Sequence, residues 1–316
     1  MNRCSRVKNN NRIVSHILRV CIGGVFVALA VLKYMSIDIF DLYIYEHNLF
    51  NLAISSTLTR LLIAAELVLG IFLITNVYIR FMRMLTYVFL IGFTIYLFLQ
   101  PYLFDVQLEN CFCFGDKIIL NHTQSIIKNI LLMLLLFFVN VNFYNYKKHE
   151  LPVAVVITIF SIVGFLVIDA PDYLYKKIHN SEVRINKELY DKTLKENEKF
   201  ESFSDGKLII AMYSHQCKYC GNSAMKIDKV MKRNHIPADK FKCVFWDTAD
   251  STEIYDFYTS HTITPLEYTK FSIDYFLEIT HGQMPVILFS DNGSIVKSVH
   301  YVGLTEKDIV GFLTEK

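Results

Sequence analysis

The chain has 316 residues, 53% of them hydrophobic and 20% charged, and its formal net charge at pH 7 is only +2. A balance this close to neutral gives no broad positive field, so the composition argues against a nucleic-acid partner. Seven cysteines are present, and four of them form two close pairs. A chain of this length can build its cores without covalent staples, so the pairs favour redox or metal chemistry over a disulfide framework.

Five apolar segments are long enough to cross a membrane, since a hydrocarbon core about 30 Å thick is spanned by about 20 apolar helical residues. In chain order, the predicted spans are residues 17–32 (extending to 39), 58–77, 85–103, 125–143 and 151–168. The first has a basic start but no small-residue cleavage site, so it is predicted to be a retained helix rather than a signal peptide. Membrane lipid is therefore an expected partner.

Basic residues are concentrated on one side of these spans, in the N-terminal segment and in the loops after spans two and four: Arg3, Arg6, Lys8, Arg12, Arg19, Arg80, Arg83, Lys147 and Lys148. The opposite loops are richer in acidic residues, with Asp116 beside Lys117 in one of them. The positive-inside rule then predicts a cytoplasmic N-terminus. The loop with Cys111 and Cys113, and residues 171–316, fall on the opposite side. For a bacterial inner membrane, that side is the oxidising periplasm.

The region after the last span divides into two parts. Residues 173–206 are charged with scattered apolar side chains and one predicted helix at 187–199, so we expect mainly a tether. From Lys207 the pattern is a buried strand, a CKYC motif (Cys217 to Cys220), an amphipathic helix and a second strand from Phe241. Residues 251–280 are predicted to be helical and irregular.

The last part of the chain predicts a hairpin and a closing helix. A strand begins at Pro285, an Asp-Asn-Gly turn follows at 291–293, and the next strand ends at Tyr301. Thr305 is the predicted N-cap of the final helix.

This order resembles the thioredoxin fold over residues 185–316. The placement of the CKYC motif between a strand and a helix, and the Met284-Pro285 step before a strand, carry the resemblance. It implies that Pro285 is a cis-proline facing the disulfide. Thioredoxins have Trp before the motif and Gly-Pro inside it, whereas here His215-Gln216 and Lys218-Tyr219 stand there. These departures leave the substrate and the redox potential open.

The CKYC spacing suits thiol–disulfide exchange. Cys217 at a helix N-terminus would be stabilised as the attacking thiolate, and Cys220, one turn later, would resolve the mixed disulfide. The alternative is a zinc half-site, which needs a second Cys/His pair at ligand spacing, and this domain has no such pair in its sequence. No metal is therefore expected. Cys243, alone in an apolar strand, is expected to be a buried, inert thiol.

Residues 12–145 are similar to the MauE/DoxX family of membrane proteins. Three places carry the likeness: GGVFVALAVLKY with Lys33, then Asp38 and Phe40; LLIAAELVLGIFL with Glu66 and Gly70; and CFCFG at residues 111–115. The family loop usually has Gly where Phe112 stands here. MauE-type proteins are associated with maturation of a disulfide-rich periplasmic enzyme, methylamine dehydrogenase, which implies exported protein thiols or disulfides as partners.

The fusion to a thioredoxin-like domain is similar in logic to the vitamin K epoxide reductase family, which implies a quinone as the one candidate cofactor. A disulfide between Cys111 and Cys113 needs a tight turn and is strained, so it would be readily reduced and would serve as a relay. The alternative is two free or separately paired structural cysteines.

Two ionisable residues fall at membrane depth, where charge is costly and usually serves a site or a partner. Glu66 is expected to function or to pair, with an edge position as the alternative. Lys33 could instead reach the outer surface along its aliphatic stem.

The predicted architecture is an all-α membrane bundle at 1–145, a fifth transmembrane helix at 146–172, a tether at 173–206 and an α/β thioredoxin-like domain at 207–316. The predicted function is a periplasm-facing thiol–disulfide oxidoreductase using Cys217, Cys220, Cys111, Cys113 and Pro285, with Glu66 and Lys33 as a membrane polar site. The alternatives are a non-catalytic assembly factor that binds a client and, more distantly, a transporter.

Overall fold

A computed structural model describes residues 2–103, 113–116, 118, 120–139, 150–179 and 181–314. The chain divides into two compact units. The first comprises Met1–His47 and Ser55–Asp169, and the second comprises Asn48–Ile54 and Ala170–Lys316.

The first unit is built from apolar helices. Its elements are α1 (Asn2–Met35), α2 (Ile37–Glu46), α3 (Leu52–Thr75), α4 (Ile79–Leu103), β1 (Cys113–Asp116), α5 (His122–Phe137) and α6 (Glu150–Ile168). Within the described part of the chain, four helical segments are long and apolar enough to cross a membrane: Arg12–Met35, Leu52–Thr75, Ile79–Tyr102 and Leu151–Ile168.

Two boundaries in this unit differ from the sequence prediction. The first span was expected to extend to residue 39, but α1 ends at Met35 and α2 begins at Ile37. At the break, the Ser36 hydroxyl donates to the Leu32 carbonyl. The fourth predicted span, 125–143, is a shorter apolar helix that ends at Phe137, and residues 140–149 lie outside the described residues. The bundle, expected to be all-α, also contains the four-residue strand β1.

Close helix contact in the bundle comes from a glycine pair. A Cβ added to Gly23 on α1 would lie 2.8 Å from the Gly70 carbonyl oxygen, and one added to Gly70 on α3 would lie 2.8 Å from the Gly23 oxygen. Small residues at such crossings let two backbones approach within van der Waals contact, which is the main attraction between helices in lipid. Phe26 and Phe72 pack in the buried core of the same unit.

The second unit is a five-stranded mixed sheet with helices. Its strands are β2 (Lys207–Tyr213), β3 (Phe241–Trp246), β4 (Glu267–Phe271), β5 (Val286–Asp291) and β6 (Ser294–His300), in the order β4-β3-β2-β5-β6. The pairs β2/β3 and β3/β4 are parallel, and β2/β5 and β5/β6 are antiparallel. The helices are α7 (Asp172–Ile178), α8 (Lys187–Lys195), α9 (Phe200–Ser204), α10 (Lys218–Arg233), α11 (Ser251–Ser260), α12 (Ile273–Thr280) and α13 (Glu306–Thr314).

Residues 173–206 were expected to be mainly a tether. This prediction is wrong for much of the segment, which belongs to the folded second unit. Helices α7, α8 and α9 occupy the segment, and Tyr190, Leu194 and Phe203 are buried in the core with β2 residues. Val183 N–H donates to the Ser298 carbonyl of β6 at 3.0 Å. The scattered apolar side chains that looked incidental in a charged sequence are the ones that the core buries.

Strand β4 was also missed, since residues 251–280 were expected to be helical and irregular.

Two local predictions at the C-terminal end are confirmed. Asn292 and Gly293 adopt positive φ angles of 48° and 79° in the turn between β5 and β6. The Thr305 hydroxyl accepts from the Asp308 backbone N–H at 3.2 Å, which caps α13.

Candidate redox site and membrane polar site

The CKYC motif lies where the buried strand β2 gives way to α10. Cys217 is the N-cap residue of that helix, and its sulfur accepts a hydrogen bond from the Cys220 backbone N–H at 3.3 Å. Free N–H groups in the first turn favour negative charge at this position. The local fold therefore places a backbone N–H donor against the sulfur of Cys217.

The two thiols of the motif have opposite electrostatic environments. The hydrogen bond from the Cys220 thiol, helped by the backbone N–H groups of Cys220 and Tyr219, lowers the pKa of Cys217 to about 6 despite partial burial. Burial and the same hydrogen bond raise the pKa of Cys220 far above its ordinary value, and Cys220 is 0% exposed. Cys217 is thus suited to attack, and Cys220 is held as a protonated thiol.

Pro285 lies at the same end of the sheet as the motif. The Met284–Pro285 peptide bond is cis. Met212 of β2 pairs with Val286 of β5 in antiparallel register, so Pro285 comes opposite Tyr213, just before the loop that leads to Cys217. Sequence position and sheet register therefore bring the predicted site residues of the second unit together.

The third cysteine of this unit is buried in the sheet. Cys243 on β3 pairs in register with Ala211 of β2, and burial raises the pKa of its thiol to about 12. Within the described ranges, no group of three or more His, Cys, Asp or Glu side chains is arranged to hold a metal ion.

The structure describes only part of the C-x-C pair. Cys111 lies outside the described residues, and Cys113 is described only as the first backbone position of β1. Gly115 in the same CFCFG stretch has a φ of +71°, and a Cβ there would collide with the Leu32 carbonyl and the Ser36 hydroxyl. A glycine is needed at this point because β1 lies directly against the end of α1.

Lys33 and Glu66 form a buried ion pair between α1 and α3. The Lys33 ammonium contacts Glu66 Oε1, and the two side chains are only 4% and 5% exposed. The Lys33 ammonium also lies 5.6 Å from the ring centres of Phe40 and Phe93. Lys33 is therefore buried rather than extended to the surface. Glu66 Oε2 has no hydrogen-bond partner among the described residues.

The ion pair and β1 are near neighbours. Lys33 follows Leu32, whose carbonyl lies against Gly115. Phe93, which faces the Lys33 ammonium, packs with Phe114 against Leu97. The ion pair and β1, which begins at Cys113, thus lie at the same end of the bundle.

A second ion pair in the bundle escaped the sequence analysis. Arg60 on α3 contacts Asp41 on α2 at 2.5 Å, and its Nε donates to the Asp169 carbonyl at 2.9 Å. Arg60 lies inside a span, so the rarity of charge at membrane depth could have revealed it.

A polar network at the end of α4 was also missed. The Tyr96 hydroxyl lies 2.7 Å from His47 Nε2, and Gln100 Nε2 lies 3.2 Å from the same nitrogen. His122 Nε2, at the start of α5, lies 3.0 Å from Gln100 Oε1. His47 Nδ1 lies 2.8 Å from the Tyr43 carbonyl, an acceptor only, so Nδ1 carries the proton and Nε2 accepts. Tyr96 and Gln100 are 49 and 53 residues from His47 along the chain, so the sequence spacing gave no signal.

These hydroxyl, amide and imidazole groups are of the kind that could donate to the carbonyl oxygens of a quinone. In the described part of the bundle they bond to one another instead. The residues present therefore do not offer a ready set of hydrogen-bond donors for a quinone.

The first unit has the features of a helical membrane protein: long apolar helices, buried ion pairs and a glycine-mediated helix crossing. A family model described as methylamine utilisation protein MauE matches residues 11–141, less than half of the chain. The N-terminal unit is therefore similar to MauE. Comparison with curated proteins and with solved structures gives no match.

Proposed function

We propose that the chain is a membrane-anchored thiol–disulfide oxidoreductase, in which a MauE-like bundle carries a thioredoxin-like unit. Three features support the thioredoxin-like assignment: the strand order β4-β3-β2-β5-β6, the CKYC motif at the start of the helix after the central strand, and a cis-proline at the adjacent strand end. This likeness is one of architecture and motif, so it speaks to fold and chemistry and not to a particular client.

The observation that carries the proposal is the asymmetry of the two thiols. Cys217 has a pKa of about 6 and accepts from the helix backbone, whereas Cys220 is fully buried with a raised pKa. Thiolate character decides which sulfur attacks a disulfide, and access decides which can be attacked. A structural pair of cysteines has no need of this difference.

The reaction follows from the two roles. The Cys217 thiolate attacks one sulfur of a client disulfide, and the other client sulfur leaves as a thiolate. Cys220 then loses its proton and attacks Cys217 Sγ, which releases the second client sulfur. The client gains two electrons and becomes a dithiol, and the CKYC pair becomes a disulfide. With an oxidised motif and a reduced client, the same steps run in reverse.

In this proposal the C-x-C pair exchanges electrons with the CKYC pair and relays them at the membrane. Gly115 lies against Leu32, the residue before Lys33 of the buried ion pair, which supports a chemical role for that end of the bundle. We place both cysteine pairs on the periplasmic side of a bacterial inner membrane, from the basic residues of the opposite loops. The clients would be exported proteins with disulfides, such as those matured for methylamine utilisation.

Trapping tests the proposal. A Cys220→Ser variant cannot resolve, so it should retain clients as mixed disulfides on Cys217 that a reductant releases. The matched control is Cys217→Ser with Cys220→Ser, which should retain none. The wild-type chain in lipid nanodiscs should also reduce insulin disulfides when supplied with dithiothreitol. If neither trapping nor reduction is seen, the chain is better described as a non-catalytic assembly factor.

A further inference from the structure

A buried histidine lies in the loop that holds both CKYC sulfurs. Ser214 N–H lies 3.5 Å from Cys220 Sγ, and Cys217 N–H donates to the Ser214 carbonyl at 3.2 Å. His215 is the next residue, and consecutive Cα atoms are only about 3.8 Å apart. His215 therefore belongs to the short turn whose backbone contacts the Cys220 sulfur.

The imidazole of His215 is nine-tenths buried and lacks hydrogen bonds. Its side chain is 9% exposed, and neither ring nitrogen has a hydrogen-bond partner among the described residues. Buried polar atoms nearly always have hydrogen-bond partners, so two buried ring nitrogens without partners require an explanation. A group that must exchange a proton during turnover is one explanation.

A carboxylate lies within ion-pair distance of one of these nitrogens, although the two groups are not aligned as a hydrogen bond. Glu253 Oε1 on α11 lies 3.5 Å from His215 Nε2. The other oxygen, Oε2, accepts from the Asp250 N–H at 2.9 Å in the capping box of that helix, which fixes the carboxylate. A base oriented by a fixed acid is the arrangement that many catalytic histidines share.

The other buried charged groups of α10 are already engaged. Asp228 accepts from Thr264 N–H at 3.0 Å and from Lys232 at 2.7 Å. Lys226 donates to the Tyr301 carbonyl at 3.0 Å and pairs with Asp172 at 2.5 Å. These contacts leave His215 as the uncommitted acid–base group in the loop beside the motif.

We infer that His215, oriented by Glu253, accepts the proton of Cys220 in the resolving step. This inference rests on the proposed function. The Cys220 thiol passes its proton to His215, directly or through one water, and its sulfur attacks Cys217 Sγ. The bond between Cys217 and the client sulfur breaks, and the client sulfur leaves with the electron pair. It takes a proton, and His215 returns to its neutral form. The imidazolium is stabilised meanwhile by Glu253.

The two steps can be timed separately with glutathione disulfide as the probe. The full chain carrying Cys111→Ser and Cys113→Ser, reduced and held in nanodiscs, is mixed with the probe, quenched in acid and analysed by mass spectrometry. The rise of the Cys217–glutathione adduct measures attack, and its decay measures resolution. Both rates are recorded from pH 5 to pH 9.

In His215→Gln, attack should stay within about twofold of the parent, and resolution should slow about tenfold or more, at the low end of general-base effects. The adduct should accumulate, and the pH profile of resolution should lose the inflection due to the imidazole. Glu253 on α11 faces His215, and Cys217 and Cys220 follow His215 in the chain at the start of α10. The pH dependence that comes from the two thiols should remain.

Two further variants separate this effect from a loss of structure. Glu253→Gln keeps the shape and the cap but loses the charge, so it should slow resolution by a smaller factor. His235→Gln, an exposed histidine after α10, should change neither rate. A normal attack rate in each variant shows that the motif is folded. Parental resolution and pH profile in both His215→Gln and Glu253→Gln would overturn the inference alone. Absence of any adduct in the parent would overturn the proposed function as well.

Discussion

At the scale of single residues, the central expectation is the reactivity order of the two CKYC thiols. Because the pKa of Cys217 is about 6, most of this residue is thiolate at pH 7, and the raised pKa of Cys220 keeps that thiol protonated. Alkylation of the reduced chain should therefore label Cys217 with a midpoint near pH 6 and level off above it. Peptide mass spectrometry at a series of pH values measures this. Preferential labelling of Cys220 near neutral pH would reverse the assigned roles.

Gly115 gives a second test at this scale. In Gly115→Ala, the positive φ and the collision with α1 should together destabilise the bundle by about 2–4 kcal/mol. Thermal unfolding in detergent should show the loss, and Cys113 should become more reactive toward alkylating agents. Gly92→Ala is the matched control, since a Cβ there meets nothing within 4 Å. Equal stability of the two variants would mean that β1 does not lie against α1.

The sequence predicted much at the residue scale where chemistry is encoded locally. The placement of Cys217 before a helix and the N-cap role of Thr305 depend on neighbours within four residues. The pairing of Lys33 with Glu66 was one of two alternatives for each residue, and only the fold could choose between them. The His215–Glu253 contact joins residues that are 38 positions apart, and sequence spacing alone could not predict it.

At the scale of elements, the ion pair between α1 and α3 predicts a strong coupling. Lys33→Met leaves Glu66 buried without a partner, and Glu66→Leu leaves Lys33 in the same state. Each single change should cost about 3–5 kcal/mol, and the double variant should recover most of that loss. Unfolding measurements on the four proteins give the coupling. If exchange at the C-x-C pair depends on these charges, the stable double variant should still be impaired in turnover. Additive losses would show that the pair is not formed.

Element boundaries were the weaker part of the sequence prediction. Hydropathy located the long spans, but it ran α1 on through Ser36 because the flanking residues are equally apolar. In the charged segment at 173–206, the sequence predicted the helix that α8 forms but not α7, α9 or the burial of Tyr190, Leu194 and Phe203, because isolated apolar residues in a charged stretch do not reveal which core they enter. The polar network around His47 joins helices α2, α4 and α5, so it exists only once the bundle has formed.

At the scale of the whole molecule, the basic loops predict the topology. Alkaline phosphatase fused after Ala170 should be active in a bacterial host, and the same enzyme fused at residue 147 should be inactive, because the phosphatase folds only on the oxidising side. Expression levels of the two fusions serve as the control. The reverse pattern would place both cysteine pairs in the cytoplasm and remove the basis for the proposed relay.

The folded segment after the last span bears on how the two cysteine pairs encounter each other. Residues 181–206 are part of the second unit, so they do not act as a flexible tether between the two cysteine pairs. A covalent linkage still makes such an encounter intramolecular, provided that the geometry allows it. Only a direct test of contact between the sulfurs decides the matter.

That test is a cross-link between the pairs. In a chain with Cys113→Ser and Cys220→Ser, each pair keeps one sulfur and cannot resolve internally. Under mild oxidation we expect a disulfide between Cys111 and Cys217, seen as a reducible mobility shift and confirmed by peptide mapping. The band should be absent when either remaining cysteine is also replaced. If no such bond forms while each intact pair still cycles with glutathione, the two pairs serve separate partners and the relay is wrong.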